Sequence, residues 1–126
     1  MIKIYDVYLP FPVSVNTAYG GRKGQKRFKS KAYKAWLADA PKLILPECGC
    51  ITFPVKVRYT FTMPDKRKRD LSNYIKIVED YLVSECVLED DNHTVVNEVS
   101  IKTDGVNRGN GKVRIEIYDT QRKEGI

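Results

Sequence analysis

Two neighbouring segments with different periodicities constrain the fold most strongly. Residues 51–61 alternate apolar and polar side chains, which is the pattern of a strand with one buried face. In residues 71–82, the apolar side chains recur at the spacings of one face of an amphipathic helix: Leu71, Tyr74, Ile75, Val78 and Leu82. A strand and a helix that each carry one apolar face must bury those faces in a shared core, so the chain is predicted to combine a sheet with helices.

A first helix is predicted upstream of the alternating segment. Ser30 is placed to cap a helix that begins at Lys31. The apolar residues that follow have helical spacing and form its buried stripe: Tyr33, Trp36 and Leu37. Pro41 should end or kink this helix, and a continuation over 43–45 is the alternative.

The other strands follow from shorter patterns. Residues 2–9 are predicted to form a first strand, which ends at Pro10 and Pro12. Residues 95–102 and 113–118 are predicted to form two more strands. The order of elements is then β-α-β-α-β-β. We expect one α+β domain over 1–126, with the helices packed on one mixed sheet.

Two connections are predicted to be irregular. Residues 13–29 contain glycines and many basic residues and are expected to form a flexible loop, which is long for a compact domain. Residues 103–111 are glycine-rich and are expected to form a mobile hairpin loop.

The composition is that of a globular protein, with 42% hydrophobic and 30% charged residues. No run of about 18 apolar residues is present, so no membrane span is expected. The first residues lack the basic and then apolar layout of a secretory signal and are read as the start of a strand. We therefore expect a cytoplasmic protein.

The cysteines do not predict a disulfide framework. There are three, and Cys48 and Cys50 are too close in sequence for an easy bridge, while Cys86 falls in an apolar helical pattern. Reduced thiols are the expectation. With His93 as the single histidine, a structural zinc site would need an improbable mixed set of ligands.

The net charge of +6 is unevenly distributed. Residues 11–38 contain no acid but carry seven basic residues: Arg22, Lys23, Lys26, Arg27, Lys29, Lys31 and Lys34. A second basic cluster covers 66–69, and the acids gather mainly at 79–91. Such segregation favours a polyanionic partner such as nucleic acid, although an ordinary solvated basic surface has the same composition.

Polar residues cluster where the second helix starts. Asp70 lies at its beginning, Asn73 and Lys76 follow at intervals of three, and Ser72 and Lys76 are four residues apart. These side chains should lie on or beside one face of the first turns. The acidic turn 90–91 follows the helix and could return to the sheet end that carries Asp70.

These residue types suit phosphodiester chemistry. Magnesium prefers oxygen ligands and commonly takes only one or two carboxylates, which Asp70 with Asp91 or Asp90 would supply. The metal would activate a water and stabilise charge on the phosphate. Lys76 could neutralise the phosphate or the leaving oxygen, and the 66–69 cluster could hold the DNA backbone.

Each residue also has a purely structural interpretation. Asp70 could be a helix cap with Asn73 in a weak capping box, and 89–92 could be a solvated turn. Lys76 could be an exposed helix lysine paired with Asp80.

Phe28 and His93 each have a functional and a structural interpretation. Phe28, between Arg27 and Lys29, could stack on an unpaired base or anchor its loop to the core. His93 could be a general base, and the structural alternative is a residue at the start of a strand.

The combined motifs resemble those of the RusA family of Holliday junction resolvases. The resemblance rests on Met63-Pro64-Asp65 followed by basic residues, then Arg69-Asp70-Leu71-x-Asn73, Lys76 and Leu88-x-Asp90-Asp91. It extends to Leu9-Pro10-x-Pro12-x-Ser14-x-Asn16-x-x-Tyr19 and to Ser30-x-x-Tyr33, so it covers nearly the whole chain. Members of this family are homodimeric, magnesium-dependent enzymes, common in phages and prophages, that cut four-way junctions by paired nicks.

The resemblance implies roles for residues at matching positions. Asp70 and Asp91 match metal-binding aspartates, Lys76 matches a catalytic lysine, and Arg69 and Asn73 match positions close to that centre. DNA contacts are expected from Lys66, Arg67, Lys68, Arg69, Lys26, Arg27 and Asn16. We thus expect a homodimeric, Mg²⁺-dependent endonuclease that resolves branched DNA in recombination and repair.

One departure from the family pattern concerns residue 72. The family often has an aspartate there, two residues after the first, and this chain has Ser72. The metal would then depend on Asp70, Asp91 and in addition Asp90, with a water held by Ser72 or Asn73. The departure leaves a second hypothesis open, a non-enzymatic relative that binds branched DNA without cutting it.

Overall fold

The computed structural model describes residues 1–21, 26–43 and 50–121. In chain order its elements are β1 (Ile2–Pro10), α1 (Val15–Ala18), β2 (Tyr19–Gly20), β3 (Phe28–Lys29), α2 (Lys31–Asp39), β4 (Val55–Met63), α3 (Ser72–Ser84), β5 (Val96–Val106) and β6 (Lys112–Asp119). The long strands form one sheet in the order β1-β6-β4-β5. Because β4 pairs in parallel with β5 and antiparallel with β6, the predicted mixed sheet in an α+β domain is confirmed.

The alternation of β4 separates the two faces of the sheet. The odd-numbered residues from Val55 to Phe61 are fully buried in the core, together with Val113, Ile115 and Ile117 of β6. The residues between them face the other way and are polar: Lys56, Arg58, Thr60 and Thr62. The helices cover only one face, because a helix can bury only the side of the sheet that offers apolar side chains.

The first predicted helix is confirmed as α2, and Ser30 caps it by accepting a hydrogen bond from the Tyr33 backbone N–H at 3.2 Å. Tyr33 and Trp36 are buried as predicted. The helix ends at Asp39, before Pro41, and Leu43 is not helical. The rest of the proposed continuation over 43–45 lies outside the described residues.

The loop predicted over 13–29 is more ordered than expected. Its described part contains α1 and the short antiparallel pair β2–β3. These elements are too short to produce a periodic pattern in sequence, so glycine and charge content alone suggested an irregular loop. Arg22 and Lys23 lie outside the described residues.

The prediction of a hairpin loop over 103–111 is wrong in two respects. Strand β5 continues to Val106, and β6 pairs with β4 and β1 instead of with β5. The connector 107–111 therefore crosses the end of β4, where the Asn107 N–H donates to the Met63 carbonyl at 2.9 Å. Gly111 allows this approach, since a Cβ there would lie 2.8 Å from the Pro64 Cβ.

The expectation of reduced thiols is also wrong, because Cys50 and Cys86 form a disulfide. Cys86 is not helical: it follows α3 with a φ of 60°, in the left-handed region, and turns the chain back. The returning chain runs beside Ile51, which donates to the Val87 carbonyl and accepts from the Glu89 N–H, both at 2.9 Å. This pairing brings residues 50 and 86 together, which their sequence separation conceals. Cys48 lies outside the described residues.

None of the helices in the described ranges combines the length and apolar character needed to cross a bilayer.

Candidate functional site

The start of α3 is organised around the carboxylate of Asp70. Its Oδ1 accepts hydrogen bonds from the Ser72 backbone N–H at 3.2 Å and from the Ser72 hydroxyl at 2.8 Å. The Asp70 carbonyl accepts the Asn73 N–H at 3.1 Å. Asp70 therefore satisfies donors of the first helical turn, although Leu71 occupies the N-cap position that the structural interpretation assigned to Asp70. It is also exposed, and its Oδ2 accepts no hydrogen bond from the described residues, so one oxygen is left to bind a ligand.

The side chain of Lys76 connects α3 to the acidic turn. Its Nζ lies 2.7 Å from Asp91 Oδ2 and 3.2 Å from Asp80 Oδ1. The hydrogen bond with Asp91 is the main reason that the pKa of Lys76 is raised, and the same bond lowers the pKa of Asp91. The predicted pairing of Lys76 with Asp80 thus occurs, the contact with Asp91 was not predicted, and Lys76 remains protonated at neutral pH.

Two groups beside Asp91 were missed from sequence. Glu79 is half-buried, and burial followed by the charge of Asp91 raises the pKa of its carboxyl. Tyr59 of β4 is fully buried, and its hydroxyl has no hydrogen-bond partner among the described residues. Burial, then the charges of Glu79 and Asp91, raises the pKa of Tyr59 well above its ordinary value. The available signal was the position of Glu79, one turn after Lys76 on the same helix.

Asp90 has a local structural role. Its Oδ1 accepts the Asp91 N–H at 2.7 Å, and its Oδ2 accepts the Asn92 side-chain amide at 3.0 Å. Because both oxygens hold the turn, Asp90 is not retained among the candidate metal ligands. His93 is exposed in the same turn, three residues before the first residue of β5.

The candidate metal ligands are the two carboxylates of Asp70 and Asp91. In the described ranges, no three His, Cys, Asp or Glu side chains are grouped so that they could hold an ion. The hard oxygen donors of Asp70 and Asp91 nevertheless match the preference of magnesium, which often binds through one or two carboxylates and completes its shell with water and phosphate.

The basic loop between β4 and α3 is folded around Asp65. Arg69 donates to both oxygens of Asp65, at 2.7 and 3.0 Å, and its guanidinium lies 5.4 Å from the centroid of the Phe11 ring. Only 9% of the Arg69 side chain is exposed. The bond to Arg69 is also the main cause of the lowered pKa of Asp65. Arg69 therefore shapes the loop, and we do not retain it as a direct DNA contact.

The remaining basic residues of this loop are accessible. Lys66 and Lys68 are exposed, and the Arg67 side chain is 79% exposed even though its Nε lies 3.3 Å from Asp65 Oδ2. These three side chains can meet a polyanion without unfolding the loop.

The second predicted DNA-binding segment places aromatic and basic groups together at the surface. Asn16 is exposed in α1, Lys26 and Arg27 are exposed, and the Arg27 guanidinium lies 5.7 Å from the centroid of the Tyr19 ring. Phe28 is 60% exposed. Of its two predicted roles, anchoring to the core is wrong, since the ring packs over Gly20 at the surface.

Comparison with known proteins shows which family this chain is similar to. The sequence profile of the family described as Endodeoxyribonuclease RusA matches residues 10–118. Curated relatives named crossover junction endodeoxyribonuclease RusA occur in Escherichia coli strain K12 and in Enterobacteria phage 82. Each is 35% identical over 80 residues, which is 62% of this chain and 66% of the relative. A relative of the same name from Shigella sonnei is 34% identical over the same share of each chain.

The match to these relatives spans just under two thirds of their length, whereas the family profile spans most of this chain. The profile begins at the end of β1 and ends within β6, so it includes the basic loop, α3 and the acidic turn. The chain belongs to the endodeoxyribonuclease RusA family.

Proposed function

We propose that this protein is a magnesium-dependent endonuclease that resolves Holliday junctions and related branched DNA in recombination and repair. The observation that carries the proposal is the ion pair between Lys76 and Asp91, formed on the helix that begins beside Asp70. The cation of Lys76 and the carboxylates of Asp70 and Asp91 thus belong to one helix, its start and the acidic turn that follows it. The names of the relatives, crossover junction endodeoxyribonucleases, support the same reaction and substrate class.

In this proposal Asp70 and Asp91 hold the magnesium ion. When bound, the ion would supply an activated water and stabilise negative charge on the phosphate. Asp70 would contribute its uncommitted Oδ2, and Ser72, which donates to Oδ1, would fix the orientation of that carboxylate. Asp91 would share its charge between the metal and Lys76.

Lys76 acts on the scissile phosphate. Its ammonium is about half exposed and is held by Asp91 and Asp80, so it has one direction left in which to donate to a DNA oxygen. Its raised pKa keeps it charged through the reaction. We therefore assign it the stabilisation of the phosphate or of the leaving oxygen, without a role as a base.

DNA is held by the exposed residues around this centre: Lys66, Arg67 and Lys68 of the loop, and Asn16, Lys26 and Arg27 of the N-terminal part. The exposed ring of Phe28 would stack on an unpaired base at the branch point. We also propose a cytoplasmic location, because the proposed substrate is DNA.

We further propose a homodimer. Two symmetric nicks in a four-way junction require two active sites related by a two-fold axis, which a dimer supplies. The edge strand β5 supports this assembly, because Val99, Ile101 and Val106 are 41%, 42% and 47% exposed. Exposed apolar residues on an unpaired strand edge are suited to burial against a second chain. Sedimentation at micromolar concentration should give a dimer, and a monomer that still makes paired cuts would contradict it.

The rival function is a binding-only relative, and Ser72 is the observation that favours it, because the carboxylate often found at this family position is absent. A gel assay on a synthetic four-way junction separates the two. Cutting that requires magnesium supports the nuclease, and binding without cutting at any magnesium concentration supports the rival.

A further inference from the structure

The face of the sheet that no helix covers contains a cavity. It has a volume of about 130 Å³, is open to solvent, and is lined by Tyr8, Thr60, Thr62, Lys102, Asp104, Lys112 and Arg114. These residues come from all four long strands. None of them belongs to the site described above, which lies on α3 and its flanking turns.

The strand register places the lining residues in one row across the sheet. Tyr8 is paired with Arg114, Arg114 with Thr60, and Thr60 with Lys102. Adjacent strands are about 4.8 Å apart, so this row is roughly 14 Å long. It is fixed by backbone pairing and does not depend on the arrangement of a loop.

Two cations of the cavity lining are available to a ligand. The Arg114 guanidinium is engaged by Asp6, with N···O distances of 2.7 and 3.0 Å. Lys102 and Lys112 have no carboxylate within ion-pair distance in the described part of the chain, and the Lys112 ammonium lies 4.8 Å from the centroid of the Tyr8 ring. Asp104 is the single acid of the lining, and it repels a ligand with several negative charges more than one with a single charge.

The floor of the cavity contains a polar atom that the fold leaves unsatisfied. Thr60 is 8% exposed, and its hydroxyl has no hydrogen-bond partner among the described residues. A buried hydroxyl without a partner costs stability, and valine has the same shape without that cost. Because Thr60 lines the cavity together with Lys102 and Arg114, movement of these side chains would expose its shielded hydroxyl to a ligand oxygen.

We propose that this cavity binds a backbone phosphate of the DNA, held by Lys102, Lys112 and the Thr60 hydroxyl. The inference rests on the proposed function for the identity of the polyanion. A phosphodiester carries one negative charge and oxygen acceptors, which suits two ammonium groups, one hydroxyl and a single acid in the lining.

The position of the cavity relative to the basic loop supports a shared DNA strand. Thr62 and Lys112 are paired at the end of β4 from which the loop to Lys66, Arg67 and Lys68 departs. Thr60 lies three residues before Met63, a distance of roughly 10 Å along the strand. The connector 107–111, with the exposed Arg108, lies between the two regions. DNA held by the loop can thus continue over the sheet edge into the cavity.

The test measures binding of a synthetic four-way junction in EDTA, so that no metal contributes. Thr60→Val removes the hydroxyl at constant shape and should weaken binding roughly fivefold to tenfold, while the unfolding midpoint stays equal or rises. Lys102→Gln should weaken binding and lower the salt slope by about 0.9, the value for one lost phosphate contact. Lys42→Gln, an exposed lysine outside both regions, is the control and should bind like the wild type.

The outcomes separate this inference from the proposed nuclease. Junction affinities of Thr60→Val and Lys102→Gln that equal that of Lys42→Gln would overturn the cavity as a DNA site, whatever the wild type cuts. If both variants bind the junction more weakly than the wild type does, and the wild type cuts no DNA, the cavity is supported and the nuclease is rejected. A loss of affinity in Thr60→Val together with a lower unfolding midpoint would indicate a folding defect and would count against the inference.

Discussion

Lys76 Nζ and Asp91 Oδ2 lie 2.7 Å apart, although 15 residues separate them in sequence. The chain reaches this arrangement by reversing direction at Cys86 and running beside Ile51 before the acidic turn. The carboxylate proposed to bind the metal is therefore held by the cation proposed to act on the phosphate. In the proposed reaction, metal binding and phosphate neutralisation would be coupled through this ion pair.

The first prediction concerns the two candidate ligands. Asp70→Asn and Asp91→Asn should each abolish cutting of a four-way junction in magnesium, because each removes a carboxylate from a site that has two. Junction binding should be retained or become tighter, since each change removes a negative charge near the phosphates. Asp39→Asn, at an exposed position at the end of α2 outside both this site and the cavity, is the matched control for cutting. A ligand variant that cuts at the wild-type rate would show that its residue does not bind the metal.

The strands and helices of this fold were predictable from local patterns. The alternation ending at Phe61 and the apolar spacing from Leu71 to Leu82 place β4 and α3 within a few residues of their observed bounds. The pairing of strands was not predictable in the same way, because β6 lies between β1 and β4 as a result of contacts distant in sequence. Local turn chemistry even suggested the wrong partner, a hairpin between β5 and β6.

In the candidate site, too, the features set by local sequence were predictable and the contacts between distant segments were not. Ser72 and Lys76 lie on α3 and Asp70 lies two residues before it, so their placement on one helical segment followed from the apolar spacing. The contact between Lys76 and Asp91 depends on the reversal at Cys86, a residue in the left-handed region without the glycine that usually signals it. Tyr59 could not be connected with this site from sequence, because it appears there as one more apolar position of a strand.

The second prediction separates two arginines of the basic loop by salt dependence. The wild type should lose at least ~10³-fold in junction affinity between about 50 and about 200 mM salt if it makes about six phosphate contacts. Arg67→Gln should lower the slope of this dependence by about 0.9, because its side chain is 79% exposed. Arg69→Gln should instead lower the unfolding midpoint, because Arg69 holds Asp65 and packs on Phe11. A flat salt response of the wild type would remove the basic loop from the DNA interface.

The third prediction concerns the disulfide between Cys50 and Cys86. It closes a loop with a sequence separation of 36, so its removal should cost about 4 kcal/mol of unfolding free energy. We expect Cys50→Ser, Cys86→Ser and the double variant to lose the same amount, measured by urea unfolding. Reducing agent should lower the midpoint of the wild type and leave the double variant unchanged. A wild type whose midpoint does not respond to complete reduction would show that the bond does not stabilise the fold.

The fourth prediction concerns acid stability at the uncovered face of the sheet. Hydrogen bonds from Arg114, and then from Lys3, lower the pKa of Asp6 to about 2. An acid whose pKa is lower in the folded than in the unfolded state stabilises the fold above the unfolded pKa. That contribution should be present at neutral pH and should be lost as the pH falls from about 4 to about 2.

Asp6→Asn should therefore be less stable than the wild type at neutral pH, and this difference should shrink in acid. Urea midpoints at about pH 7 and about pH 2.5 measure it. Asp39→Asn is the control, because Asp39 is exposed at the end of α2 and forms no ion pair among the described residues. An equal difference between Asp6→Asn and the wild type at both pH values would contradict the assignment.

The last prediction concerns Ser72, the position at which this chain departs from the family pattern. Its hydroxyl donates to Asp70 Oδ1 at 2.8 Å, so the side chain of residue 72 points toward the Asp70 carboxylate. Ser72→Asp would place a second carboxylate beside the first. We expect it to lower the magnesium concentration for half-maximal cutting and to leave the cut positions unchanged, because a third carboxylate strengthens the site.

Two further readouts make the Ser72 prediction independent of cutting. Without metal, repulsion between neighbouring carboxylates should raise one carboxyl pKa and lower the unfolding midpoint of Ser72→Asp relative to wild type. Added magnesium should then raise that midpoint more in the variant than in the wild type, since a ligand that binds only the folded state stabilises it. Ser72→Ala should cost roughly tenfold or less in cutting rate, as expected for a residue that only orients a ligand. If Ser72→Ala is as inactive as Asp70→Asn, the serine takes a direct part in the reaction and the ligand set is wrong. If the wild type never cuts while Ser72→Asp does, the natural protein binds branched DNA without cleaving it.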